Sequence, residues 1–149
     1  MEKAAARPDQ ASRRGKAQQR RPRVNRQLML ASLLGALHGL HEDCEIASRA
    51  VEATLDNPKR YRTWRAIAMG LGGNTSYAVQ LLEQHEQEHP DDDRSKVKLA
   101  LALLLGRHPD WRRVVDQVLA LSTDVTARRV ATDLLTFPNR FAYLASLRK

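Results

Sequence analysis

The chain has 149 residues and carries 25 Lys/Arg against 17 Asp/Glu, a formal charge of +8. That length suits one domain with a single core and excludes two of ordinary size. The one cysteine, Cys44, rules out an internal disulfide or a cysteine-based zinc site and suits a reducing, cytoplasmic compartment.

The charge is unevenly placed. Residues 1–26 hold nine Lys/Arg (Lys3, Arg7, Arg13, Arg14, Lys16, Arg20, Arg21, Arg23, Arg26) against Glu2 and Asp9, a net of +7, so the other 123 residues carry only +1. Attraction to phosphate or anionic lipid must therefore come from this stretch. It has no aromatic residue and, after Met1, only Val24 as an aliphatic side chain larger than alanine. Such a segment cannot bury enough surface to offset the entropy of ordering. Residues 1–26 are accordingly expected to be a disordered basic extension, and residues 27–149 the folded domain. A nucleic-acid arm is the alternative use of this charge, although the interleaved aromatics of such arms are missing. A signal peptide with Leu28–Leu37 as its apolar region would have an overlong basic leader and no clean cleavage site. An over-long start, with the true beginning near Val24 or Met29, is a further reading of the same residues.

Ala, Leu, Arg, Glu and Gln dominate while Gly, Phe, Tyr and Ile are scarce, a bias toward side chains that lose little rotamer freedom in a helix. From Gln27 onward apolar residues recur at steps of three and four, predicting helices over about 27–38, 42–56, 60–71, 75–88, 93–106, 110–121 and 124–135, with a short segment near 138–147. Asp56-Asn57-Pro58 ends the second, because the residue before a proline is pushed out of the helical region. Gly72-Gly73-Asn74-Thr75 supplies a C-cap and then a cap for the next helix. His89-Pro90-Asp91 closes the fourth helix, and Asp92 or Asp93 can cap the fifth. Asp110 is placed to cap the sixth, and Ser122-Thr123-Asp124 the seventh. The longest apolar stretch, Leu28–Leu40, is interrupted by Ser32, Gly35, His38 and Gly39 and falls short of the roughly 20 residues a bilayer core needs, so no transmembrane helix is expected.

Alternate helices repeat. Leu30, Leu33, Leu34 and Leu37 have the spacing of Trp64, Ile67, Ala68 and Leu71, displaced by 34 residues, and Val97, Ala100, Leu101 and Leu104 repeat it at a displacement of 33. A period of 33–34 residues is that of a tetratricopeptide (TPR) helical hairpin, in which each unit must stack on its neighbours to bury its apolar faces. The expected fold is all-α: a TPR-like right-handed array of three helical hairpins plus a C-terminal capping helix, with Val125, Val130, Leu134 and Leu135 in the cap. With the repeating stripe, Trp64 included, assigned to the core, the opposite faces of the first helices would line a concave groove. That groove comprises Leu28, Ala31 and Gly35, then Arg62, Arg65 and Met69, then Lys98, Ala102 and Leu105. Its mixture of small, apolar and basic residues suits an amphipathic partner helix with acidic positions.

Two clusters suggest metal chemistry. His85-Glu86-Gln87-Glu88-His89 is an H-E-x-x-H sequence, which on a helix can place two imidazoles on one face for zinc beside a general-base glutamate. Here the second histidine abuts Pro90 and the flanks are acidic and amide residues, as on a solvated helix end. His38, His41 and Cys44 lie at three-residue steps around a turn but lack a fourth ligand. No metal, cofactor or catalytic residue is expected, and no Gly-rich phosphate loop follows a strand.

Three stretches resemble a known family. They are Leu28-Met-Leu-Ala-Ser-Leu-Leu-Gly-Ala-Leu-His-Gly-Leu-His-Glu-Asp-Cys-Glu-Ile-Ala, then Ala78-Val-Gln-Leu-Leu followed by Pro90, then His108-Pro-Asp-Trp-Arg-Arg-Val-Val-Asp-Gln-Val-Leu with Ala127 to Leu135. Their layout resembles the small TPR-like chaperones of bacterial type III secretion systems, of the YscG, PscG and SsaH type, and a related Hrp-system protein. The basic extension and the residues after Pro138 depart from that pattern. The resemblance implies a cytoplasmic chaperone and not an enzyme. Its partners would be a small helical co-chaperone and the C-terminal amphipathic helix of a secreted needle-type subunit, held as a monomer until export. A nucleic-acid-binding helical protein using the basic extension is the alternative.

Overall fold

A computed structural model describes residues 9–136, with side chains from Arg23 onward. Among these residues there are seven helices and no strand: α1 Asp9–Leu37, α2 His41–Glu52, α3 Lys59–Leu71, α4 Ser76–Glu88, α5 Asp93–Leu105, α6 Trp111–Leu121 and α7 Val125–Thr136. None is long and apolar enough to cross a membrane. The all-α class is therefore found as expected, while the helix expected near 138–147 lies outside the described residues.

The largest departure is at the N-terminus. Residues 9–26, expected to be disordered, are the first half of α1. From Asn25 onward α1 docks on α2 and the turn after it: Asn25 hydrogen-bonds Thr54 of that turn, and the Cys44 thiol of α2 donates to the Ser32 carbonyl at 3.0 Å. The docked part supplies the nucleus, and the Ala, Gln and Arg of the extension propagate the helix at little cost, against about 1 kcal/mol at Gly15 and about 3 kcal/mol at Pro22, which has no N–H to donate. The basic segment thus needs no core of its own. α2 ends earlier than expected, at Glu52, and a turn carries the chain to Pro58.

The repeat is sharper in three dimensions than in sequence. α1, α3 and α5 end at Leu37, Leu71 and Leu105, each 34 residues after the last. Residues with left-handed φ follow at Gly39 (75°), Gly73 (91°) and Arg107 (60°), again 34 apart. Each closes the same pair of backbone bonds, from Leu40 to Gly35 (2.8 Å), Asn74 to Met69 (2.9 Å) and His108 to Leu103 (2.8 Å), with the residue before reaching back to Ala36, Gly70 or Leu104. This is the Schellman ending, which satisfies carbonyls that a helix terminus would leave orphaned. Arg107 holds in the third unit a conformation that glycine adopts at lower cost. The displacement of 33 expected for the third unit is corrected to 34: Lys98 and Leu101, not Val97 and Ala100, occupy the places of Trp64 and Ile67.

Each hairpin packs on the next. α1–α2, α3–α4 and α5–α6 form the pairs, α1, α3, α5 and α7 lie side by side in that order, and each even helix also touches the following odd one. α5 is consequently surrounded, and Val97, Leu99, Ala100, Leu103 and Leu104 join Val114, Val115, Val118, Ala131 and Leu134 in one core. The odd helices approach closely where residues are small: a Cβ on Gly70 would stand 2.2 Å from the Ala102 carbonyl oxygen, and one on Gly72 2.4 Å from that of Ala36.

Asp92 joins two units. It caps α5 by accepting from the Ser95 amide (3.2 Å) and hydroxyl (2.8 Å), and it meets the Lys59 ammonium of α3 at 3.0 Å. Partial burial alone would raise its pKa, but Lys59 and Ser95 together outweigh that and pull it down to about 2. A depressed folded-state pKa stabilises the fold above the unfolded value and loses that contribution as pH falls through the folded one. Thermal unfolding followed by circular dichroism should therefore show stability falling between about pH 4 and pH 2. Asp92→Asn, which keeps a competent N-cap, should flatten part of that slope; an unchanged acid limb would show that the Asp92 charge contributes nothing. The caps expected at Asp124 and Asp110 divide: Asp124 accepts from the Ala127 amide at 3.0 Å, whereas Asp110 makes no side-chain cap.

Candidate protein-binding surfaces

Between α3 and α5 runs an open groove of roughly 440 Å³. Its floor is Trp64 and Ile67 of α3, and its walls carry Lys59, Arg60, Arg94 and Lys98. Lys59 is engaged by Asp92, and Arg94 donates to Asp124 at 2.7 Å. Arg60 and Lys98 have no ion-pair partner among the described residues. Tyr61 stacks on Trp64 with ring centroids 5.9 Å apart, which fixes the indole in place. An apolar floor between basic walls offers both burial and charge to an amphipathic helix with an acidic edge.

A second apolar surface lies at the free end of the array, on α1 and α2. Here Ala31, Leu34, Gly35, Leu40, Cys44 and Ala47 surround a shallow pocket of roughly 440 Å³. The 34-residue repeat explains why it is open. Leu34 is 57% exposed, while the residues holding its place in the next two units, Ala68 and Ala102, are 4% and 0% exposed. Those two lie beneath a preceding odd helix, and among the described residues no helix comes before α1. Leu30, Leu40 and Ile46 add further exposed apolar area on the same hairpin.

The nine residues expected to form one concave stripe do not share a surface. Ala31 and Gly35 line the end pocket, and Lys98 lines the α3–α5 groove. Ala102 and Leu105 are core residues, because α5 is enclosed by neighbours and only its Arg94 and Lys98 side stays open. Arg62 and Arg65 project from the other side of α3, toward α2 and α4. Leu28 and Met69 are half-buried. The groove is built by Trp64, which the periodicity assigns to the core, by Ile67, which packs against the core as that periodicity expects and also faces the groove, and by Arg60, Thr63 and Ser95, which the periodicity passes over. In an array both long faces of a helix are apolar, one toward the neighbouring unit and one toward a ligand, and periodicity cannot tell them apart. The glycines following Leu37 and Leu71 are the signal that fixes the register. Trp111 packs against the core.

In the H-E-x-x-H segment Gln87, Glu88 and His89 are exposed, as expected of a solvated helix end, whereas His85 is not. α4 ends at Glu88, and His85 is buried, with Nε2 3.1 Å from the Asp92 carbonyl oxygen and 3.6 Å from its carboxylate. The His89 ring stands 5.6 Å away, tilted by 52°. His85 thus joins α4 to the start of α5. Among the described residues no three His, Cys, Asp or Glu side chains gather as metal ligands. Cys44 is buried between α1 and α2, and burial followed by the Asp43 charge pushes its thiol pKa up. Compared with known families, curated proteins and solved structures, the chain matches none.

Proposed function

We propose that this protein is a TPR-like helical chaperone or adaptor, of the kind that serves type III secretion in the cytoplasm, and that it acts by covering apolar helices of other proteins. The observation that carries this reading is the exposure of Leu34 at the free end, at a place in the repeat that the following units bury completely. Burying a leucine side chain is worth roughly 1.5–3 kcal/mol, so an end hairpin showing Leu34, Leu40 and Ile46 gains from a second polypeptide seated on it. A small helical co-chaperone fits that role. The α3–α5 groove would then hold the client, the amphipathic helix of a needle-type subunit, with its apolar side on Trp64 and Ile67 and acidic residues near Arg60 and Lys98. A subunit that polymerises through such a helix must have it covered until export.

The two surfaces separate by mutation. Co-purification with a needle-type subunit and a small helical co-chaperone of a type III system should show Leu34→Glu losing the co-chaperone and Trp64→Glu losing the client by tenfold or more. Both variants should keep their helical circular dichroism. Retention of both partners by both variants would overturn the assignment.

A nucleic-acid reading draws on a different observation: residues 9–26, where seven of the nine N-terminal cations lie, form a helix that runs roughly 20 Å past the Asn25–Thr54 contact. Deleting residues 1–22 distinguishes the readings. Client capture survives the deletion if the groove is responsible, whereas salt-sensitive duplex binding lost with those residues would favour nucleic acid.

A further inference from the structure

At the free end of the array the apolar surface has both a projection and a recess. On α1, Arg23, Gln27, Leu30, Leu34 and His38 are exposed and lie three or four residues apart, so they form one outward stripe. Leu34 is its projection. The residues in its place in the later units are alanine, and Ala102 lets Gly70 of the preceding odd helix come so close that a Cβ there would stand 2.2 Å from the Ala102 carbonyl oxygen. A leucine holds a helix off, so the face is not shaped for one more unit of the same array. The recess lies beside it, where Ala31, Gly35 and Ala47 present little side chain above the buried Cys44. Gly35 is required at its floor, because a Cβ would meet the Cys44 sulfur at 2.7 Å.

A face that carries a knob and a hole side by side is complementary to itself, the condition for a two-fold interface. Charge selects the direction. Seven cations of residues 9–26 lie before Gln27, and α2 opens just after the stripe with Glu42 and Asp43, both exposed. Two parallel copies of α1 would bring like charges together. Antiparallel copies keep the two basic stretches at opposite ends and bring each toward the acidic start of the other copy's α2. With the two-fold centred between Ala31 and Leu34, each Leu34 enters the other copy's recess at Ala31 and Gly35. Arg23 then lies about 14 Å from the centre along the helix, past the end of the opposite α1 and within reach of Glu42.

We propose that this face binds a second copy of the chain, as a two-fold dimer in which the α1 helices pack antiparallel through Leu34 and are flanked by Arg23–Glu42 pairs. One hairpin per copy makes a small interface, so the dimer forms only as concentration rises and dilute chain is monomeric. A co-chaperone taking the same face would displace the second copy. The dimer itself is a property of the chain alone and does not rest on the chaperone reading.

Sedimentation equilibrium of the purified full chain over a wide concentration range tests it. A mass rising from 16.8 kDa to twice that value, and no further, is expected. Leu34→Glu should leave a monomer at every concentration; Leu34 is 57% exposed, so the fold tolerates the change. Arg23→Glu and Glu42→Arg should each weaken the dimer roughly tenfold, because the two-fold repeats every pair, and the double variant should recover wild-type affinity. A wild-type chain that stays monomeric at its highest soluble concentration overturns the proposal. So do growth beyond the dimer, a Leu34→Glu variant that dimerises, and charge reversals that do not rescue one another. A monomeric wild type would leave the chaperone reading standing, since that reading is judged on partner capture.

Discussion

Gly70→Ala should lower the stability of the protein by about 2 kcal/mol or more, seen as a drop of several degrees in Tm. The sign is the informative part. Gly70 lies within α3, and alanine in place of a helical glycine ordinarily stabilises by about 1 kcal/mol. Here the new Cβ would stand 2.2 Å from the Ala102 carbonyl oxygen and 3.2 Å from its Cα, so α3 and α5 must move apart along their whole contact. Ala102→Gly should not rescue the loss, because the obstruction is backbone and not the Ala102 methyl. A Gly70→Ala protein as stable as wild type would show that the two helices do not cross this closely.

Leu103→Ala should cost about 3–5 kcal/mol in chemical denaturation, the range for removing a buried leucine from a core that cannot collapse around the void. Leu103 is fully buried on α5, with helices on every side to hold the cavity open. Leu34→Ala removes the same atoms and should change the stability of the free protein by no more than about 0.5 kcal/mol, because the side chain stands mostly in water. A small loss at Leu103, or equal losses at the two, would contradict the placement of α5 at the centre.

What was legible in the sequence follows from what each signal measures. Helices and turns were readable because Gly39, Gly73, Pro58, Pro90 and Asp92 act locally, each through its own backbone or cap. The period was readable for the same reason, since Leu37 and Leu71 precede equivalent glycines. In the third unit the sequence pattern slips by one residue because Arg107 takes the left-handed place without being glycine. One residue of slip rotates a helix by about 100°, and Lys98 was aligned as a groove residue while its true counterpart, Trp64, was placed in the core. Burial of Arg65 was hidden for a different reason. An arginine reads as a surface residue unless the stacking tyrosine and the two glutamates from other helices are known to surround it. The helical first half of α1 was missed because its order comes from being joined to a docked half, a dependence that composition does not record.

The free end of the array has a consequence for cooperativity. In a linear stack each unit is held by its neighbours alone, so units with two neighbours open only with the whole and units with one can open by themselves. α5 borders four helices, and its opening is global unfolding. Among the described residues, the α1–α2 hairpin packs substantially on α3 alone. A polypeptide seated over Leu34 and Leu40 turns that terminal unit into an interior one and joins it to the same all-or-none transition as α5. Occupancy of the end face would then be felt thirty and more residues away at Trp64, through stiffening of the first hairpin and without displacement of the groove.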